Sequence, residues 1–364
     1  MDISTLSLSC VDDIGPRTYF SLIQRFGSAQ NVLEQDKSTL MQVNDISKYQ
    51  ADAIVNKDYQ EMLDKQLESA EKKKVKIITY GDEIYPDILA QIYNPPIVLM
   101  HKGEFVHEDD PAFGIVGMRY PDDYGKQMCY DIASGLAKKG LCIVSGMAKG
   151  IDAISHKAAL DHKTRTIAVM GTSFDIIYPA ENRHLYDEIV EKGVVCTETL
   201  FGRHQVPAHF VRRNRIISGL SRGVLVVQAG DKSGALVTAL NANEQNRDVF
   251  AVPGDVLKGR HNGCHRLIRL GAKLVSKAED ILDEYPFIKD RMKAQGDLFI
   301  QATRKKLGKE QEAVLKVLNK KGVHIDEIFL KCKLSRPEIM KAMLNLEIKG
   351  YVKRGKGDFY VRNI

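Results

Sequence analysis

The chain has 364 residues, 44% of them hydrophobic, which suits two or three globular domains and excludes a disordered polymer. Its six scattered cysteines form no CxxC pair, and it lacks both a signal-like N-terminus and an 18-residue apolar run; this argues against disulfides, a zinc site, secretion and a membrane span, and for the cytosol. The net charge of +6 is uneven: Lys289 to Ile364 hold 19 Lys/Arg against 9 Asp/Glu, so the tail suits an acidic partner such as nucleic acid, or is simply a solvated lysine-rich surface.

Residues 1–70 read as short helices. Asp12-Asp13-Ile14-Gly15-Pro16-Arg17 has the makings of a tight turn between two of them, Gly15 supplying a permissive backbone and Pro16 suiting a first helical turn. Val43-Asn44-Asp45-Ile46-Ser47 is a weaker copy without the glycine. Paired hairpins of this kind resemble helix-hairpin-helix (SAM-like) modules, which hold duplex backbones with turn N–H groups. The missing glycine favours a structural or protein-docking role here.

The charged run Glu71-Lys72-Lys73-Lys74 opens a central domain, 71–290. Strand-like segments fall at Lys76–Tyr80, Ile97–His101, Phe113–Met118, Leu141–Ser145, Thr166–Met170, Val194–Thr197, Gly223–Gln228, Asp248–Val252 and Lys273–Ser276. Helical patterns separate most of them, at Asp122–Lys139, Ile151–Asp161, Asn182–Glu191, Gly234–Asn246 and Gly263–Leu270. Such alternation predicts an α/β domain with a doubly wound, mostly parallel sheet.

Within it, Leu141 to His156 (LCIVSGMAKGIDAISH) reads as a buried strand, a small-residue turn and a helix. Ser145, Gly146 and Lys149 would then lie at the ligand-binding end of a strand, where free N–H groups and a lysine suit a phosphate. The same turn could instead merely let a helix pack closely on the sheet. No Walker loop and no G-x-G-x-x-G precedes the first helix.

Other strand ends carry Arg119, then Asn182-Arg183 after Tyr178-Pro179, and Asp231-Lys232-Ser233-Gly234. Parallel strands bring these loops to one edge, so Arg119, Lys149, Arg183 and Lys232 could line a groove suited to a threaded polyanion. Phe210-Val211-Arg212-Arg213-Asn214-Arg215 reads as three arginines opening a helix, a poor match to the helix dipole unless a partner brings phosphates. Phe210 could stack on a base. At least one of the arginines is expected to pair with a buried carboxylate instead, such as Asp152. Catalytic motifs are absent: there is no G-x-S-x-G, no HExxH and no metal-ligand spacing. Asp152 and His156 share a helix face, more naturally as a structural hydrogen bond than as an oriented base.

Residues 291–308 have no clean period and read as a linker. In 309–364, helical patterns at Glu310–Leu318, Ile325–Cys332 and Ser335–Ile348 precede two strands around Gly355-Lys356-Gly357, the winged-helix arrangement. Ser335 is placed to cap the third helix, with Glu338 three residues on.

SGMAKGIDAISH (Ser145–His156), GTSFDIIYPAEN (Gly171–Asn182), RNRIISGLS (Arg213–Ser221), KSGALVTA (Lys232–Ala239) and VFAVPGD (Val249–Asp255) together resemble the bacterial DNA-processing protein A (DprA/Smf) family. The resemblance implies an extended Rossmann-like domain that binds single-stranded DNA without sequence preference, dimerises, and loads the recombinase RecA in natural transformation, without catalysis or cofactor. It places groove cations at Arg119, Arg183 and Lys232 and a groove aromatic at Phe210. Val211, Gln228, His265 and Thr197 depart from the family pattern, and Gln228 and His265 bear on local hydrogen bonding.

Two rivals remain. Related Rossmann-like folds hydrolyse nucleotide N-glycosidic bonds, but through a P-G-G-x-G-T-x-x-E pattern whose paired glycines and glutamate are missing around Asp231-Lys232-Ser233-Gly234. A regulator reading duplex DNA through the tail is the other.

Overall fold

The computed structural model describes residues 1–286, 288, 308–319, 322–348 and 351–362. The chain divides into two compact units, Met1–Pro286 and Phe287–Ile364.

The larger unit is built on strands β1 (Lys76–Thr79), β2 (Val98–Gly103), β3 (Ala112–Val116), β4 (Cys142–Ser145), β5 (Thr166–Val169), β6 (Val194–Thr197), β7 (Gly223–Val226), β8 (Asp248–Ala251) and β9 (Lys273–Leu274). They form one sheet in the order β1-β2-β6-β5-β4-β3-β7-β8-β9. From β6 to β9 every pairing is parallel, whereas β2 runs antiparallel to β6 and β1 antiparallel to β2. Each segment expected to be a strand is one, within a residue or two at its ends. All residues of β3 to β7 are buried, because helices cover both faces of this part of the sheet, and that is why these strands read as unbroken apolar runs.

After β3 the chain steps outward through β4, β5 and β6, then returns to place β7 on the other side of β3. The loops leaving β3 and β7 therefore diverge, and a crevice opens at the carboxyl ends of these two strands.

Val98, Met100, Ala168 and Val195 share a core with Leu6, Leu8, Leu22 and Ile54 of the N-terminal helices, while Leu99, Ile167 and Val169 belong to the core on the other face. The alternation is that of a strand with period two. The N-terminal helices thus cover one sheet face. Gln66, wholly buried on the helix Gln60–Lys73, fastens them: its amide donates to the Phe201 carbonyl (3.2 Å) and accepts from the Phe201 N–H (2.7 Å). Pro16 opens the helix Pro16–Phe26 as expected. The left-handed residue of that turn is Asp13 (φ 61°), however, and Gly15 is extended. Asp12 of the same turn pairs with Arg203, so the hairpin is tied to the loop after β6.

In the smaller unit, helices Lys309–Val317, Ile325–Lys331 and Arg336–Ile348 enclose Val314, Ile328, Ile339 and Leu346 against a three-stranded sheet. Its strands are β10 (Val323–His324), β11 (Val352–Arg354) and β12 (Phe359–Arg362), ordered β10-β12-β11. This is a winged-helix module. Glu338 accepts the Ser335 N–H at 2.8 Å, as its spacing suggested. β10 is only two residues long and left no periodic signal. The linker expected at 291–308 lies, apart from Gly308, outside the described residues.

Candidate nucleic-acid interface

The switch-point crevice has a volume of 640 Å³, the scale of a nucleotide-sized ligand. The β3 loop (Arg119, Tyr120), the β7 loop (Asp231, Lys232) and the first turns of the helix Pro207–Gly219 (Phe210, Asn214) line it. Arg119 and Lys232 are exposed, and among the described residues neither side chain has an ion-pair or hydrogen-bond partner. Asp231 accepts from Asn262 (3.1 Å), and Ser233 accepts the Ala235 N–H (3.3 Å) at the start of the next helix. Both residues shape the loop that presents Lys232.

On the crevice wall the half-buried Phe210 lies so close to Gly171 that a Cβ there would stand 2.7 Å from its ring. Tyr178 meets Phe210 edge-on, with centroids 5.5 Å apart. The pair forms a partly exposed aromatic surface beside two unpaired cations, suited to stacking bases while phosphates are held. Tyr178 and the exposed Tyr120 were not singled out from sequence. The only signal for Tyr178 was its place in the Gly171–Asn182 motif.

The turn after β4 is not an open phosphate cradle. Asp152, buried on the following helix, folds back and accepts the N–H groups of Gly146 (3.1 Å) and Ala148 (3.3 Å). The N–H groups that would face a phosphate are already taken by the protein's own carboxyl group. Ser145 is fully buried and donates to the Ile115 carbonyl at 2.6 Å. Ser145 and Gly146, expected as DNA contacts, thus have their hydroxyl and N–H engaged within the protein at the sheet edge. The Asn182 amide is likewise engaged, donating to the carbonyls of Met147 (2.9 Å) and Ala148 (3.3 Å).

Gly150 ends this turn at φ +75°, and a Cβ on it would stand 2.4 Å from the Met118 carbonyl oxygen and 2.5 Å from that of Arg119. Only glycine permits this approach. Lys149 reaches the surface paired with Glu181, and Arg183 is exposed with Asp187 at 3.7 Å.

The three arginines part company. Their helix begins at Pro207, more than a turn before them, so they do not open it and the dipole mismatch disappears. Arg213 is 5% exposed and its Nη1 donates to the carbonyls of Gly146 (2.6 Å) and Val169. Burial pulls its guanidinium down to about 10, with the Asp152 charge opposing, so it stays charged at neutral pH. Burial also raises the Asp152 carboxyl, against the nearby Arg213 charge. The buried carboxylate expected near one arginine is Asp152, although Arg213 bonds directly to carbonyls and not to it. Arg215, 12% exposed, and Arg212, 53% exposed, both pair with Glu198. Arg213 and Arg215 are structural, and Arg212 alone keeps an outward side chain.

Gln228 and His265 are both satisfied. Buried Gln228 accepts the Asp122 N–H (3.1 Å) and meets His261 Nε2 at 2.9 Å, while His265 Nε2 lies 3.2 Å from the Gly254 nitrogen.

His156 pairs with Thr166 (2.7 Å) and not with Asp152. Thr166 spends its hydroxyl proton on the Ile143 carbonyl, so His156 Nδ1 is the donor. Burial, helped by the Arg213 charge, pushes this imidazole down to about 3. Between about pH 3 and the ordinary histidine value near 6.5, the unfolded chain therefore binds the extra proton. The His156 contribution is full above about pH 6.5 and is lost as pH falls, at up to about 1.4 kcal/mol per pH unit. Asp152, raised by burial, acts with the opposite sign, so the comparison must be with His156→Gln. In denaturant titrations from pH 7 to 4 that variant is expected to lose one proton's worth of slope; an unchanged slope would contradict the assignment.

Residues 76–286 match the sequence family described as DNA recombination-mediator protein A, residues 301–358 the DprA winged helix domain, and residues 2–35 the DprA-like N-terminal HHH domain. The chain is 38% identical over 281 residues to Protein Smf of Synechocystis, covering 76% of this chain and 71% of the relative. It is 41% identical over 245 residues to DNA processing protein DprA of Streptococcus pneumoniae, covering 67% and 86%. The X-ray structure of DprA from Streptococcus pneumoniae superposes with a TM-score of 0.69 at 34% identity, covering 78% of this chain and 98% of that one. DNA processing protein A of Helicobacter pylori, whose structure was solved for its single-stranded DNA binding mode, gives 0.53 at 29%, covering 60% and 97%.

Proposed function

Because this chain belongs to the DNA recombination-mediator protein A (DprA) family, we propose that it is a cytosolic, non-catalytic protein that binds single-stranded DNA without sequence preference and delivers it to a RecA-type recombinase during DNA uptake. The observation that carries this reading is the switch-point crevice, where the unpaired Arg119 and Lys232 flank the Phe210–Tyr178 surface. Cations without aromatics would serve any polyanion; exposed rings reward only bases that are not already paired. Arg183, Lys149 and Arg212 extend the path along the same edge. The N-terminal hairpins serve as a docking element on the sheet, in keeping with the Asp12–Arg203 tie. Association of two copies through the sheet unit is supported by the exposed Leu270, just before the short edge strand β9, and Leu274 within it.

Neither rival gains support. The β7 loop offers no glutamate, and Asp231 is engaged by Asn262. The third helix of the tail exposes Met340 and Leu344 alongside Arg336 and Lys341, a mixed face that does not single out base-edge reading. No helix among the described residues is long and apolar enough to cross a membrane.

Titration of the whole chain with single strand, duplex and mononucleotide at two salt concentrations tests the reading. Single strand is expected to bind best, with affinity falling steeply with salt. Arg119→Ala and Lys232→Ala should each flatten the log–log salt slope by about 0.7 for all sequences alike, with little change in melting temperature. Equal affinity for duplex and single strand counts against the crevice, and release of free base from a nucleotide would revive the enzyme.

A further inference from the structure

The cations along the sheet edge fall into two classes. Arg119 and Lys232 stand free at the crevice, whereas Lys149, on the next loop, is paired with Glu181. Stability does not account for that pair. Its side chains are 38% and 65% exposed, and exposed ion pairs contribute little to folding. Nor is the carboxylate there by chance of a mobile loop. Asn182, the next residue, is hydrogen-bonded to the carbonyls of Met147 and Ala148, the two residues before Lys149. The short turn Ala180–Asn182 is thus strapped across the loop that carries the lysine, and Glu181 is held facing the ammonium. The lysine beside it keeps the Glu181 carboxyl below the ordinary glutamate range, so it is charged at neutral pH. A fixed carboxylate on a path meant for phosphates weakens the grip it sits on.

We propose that Glu181 is a masking residue: it covers Lys149 until a strand long enough to run past the crevice displaces it, so that affinity depends on strand length. This rests on the single-strand reading above. A short oligonucleotide that occupies only the crevice meets Arg119, Lys232 and the rings and leaves the Lys149–Glu181 pair intact. A longer one brings a phosphate to Lys149, which exchanges one anionic partner for another and gains little until the carboxylate is gone.

The experiment uses the full chain and homopolymer strands of about 4 and about 30 nucleotides, spanning the site sizes of single-strand binders. Glu181→Gln is expected to bind the long strand roughly two- to fivefold tighter, with a steeper salt dependence, and the short strand unchanged. Lys149→Met should weaken the long strand alone, because it leaves the Glu181 carboxylate uncompensated on the path, and adding it to Glu181→Gln should abolish the gain. An unchanged long-strand affinity, or an equal gain on both lengths, overturns the mask. A gain that survives Lys149→Met overturns it as well, since general charge would then be the cause. If the wild-type chain binds neither length, the single-strand reading fails and the mask fails with it; if the wild type binds and only the Glu181→Gln effect is missing, the mask alone fails.

Discussion

Arg213→Ala is expected to destabilise the larger unit by about 3–5 kcal/mol, the cost typical of removing one member of a buried set of charges. The guanidinium is buried and bridges the carbonyl of Gly146, just after β4, and that of Val169, the last residue of β5. Its loss would leave two buried acceptors unserved and the Asp152 carboxylate without its nearest positive charge. Denaturant unfolding, followed by circular dichroism, measures the effect. Native stability with selective loss of DNA binding would instead make Arg213 a phosphate contact.

From sequence, Arg212, Arg213 and Arg215 read as a cationic group with at least one structural member, without showing which. Charge is visible in a sequence and direction is not. Successive helical residues point about 100° apart, so Arg213 turns into the sheet while Arg212 and Arg215, three apart, share a side and a partner in Glu198. At the Ser145-Gly146 turn both readings were open for a related reason: its small residues allow close approach, and what approaches is Asp152 from six residues downstream of Gly146. The strands were legible because a parallel sheet buried on both faces writes itself as apolar runs ending in small residues. The antiparallel entry of β2 was not, since strand direction depends on where the crossover goes. Arg119 and Lys232 were singled out by their place after β3 and β7 and by the family resemblance, and the sheet order sets them on either side of one crevice.

Phe210→Ala is expected to cost about 1–3 kcal/mol of single-strand affinity, the range for removing one stacking platform. The ring is half-buried against the Gly171 backbone and braced by Tyr178, so it is offered at a fixed angle with little freedom to lose on binding. Phe210→Tyr keeps the face and should bind nearly as wild type. Duplex affinity, which has no free bases to stack, should change far less. Fluorescence titration of the three proteins with both DNAs measures this, and an equal loss on single strand and duplex would mean that Phe210 acts through the fold and not through stacking.

The contact at Gly150 fixes more than one turn. Because its Cα lies against the carbonyls of Met118 and Arg119, and the Ile151 N–H donates to Met118 (3.2 Å), the loops after β3 and β4 meet main chain to main chain. Arg119 and Lys149 stand on those loops. The interval between their attachment points is therefore a backbone dimension, indifferent to which side chains occupy the two positions. Charge at either place can be exchanged, strengthened or lost without changing the pitch at which a threaded polymer is engaged, whereas any residue other than glycine at 150 would alter that pitch while leaving every charge in place.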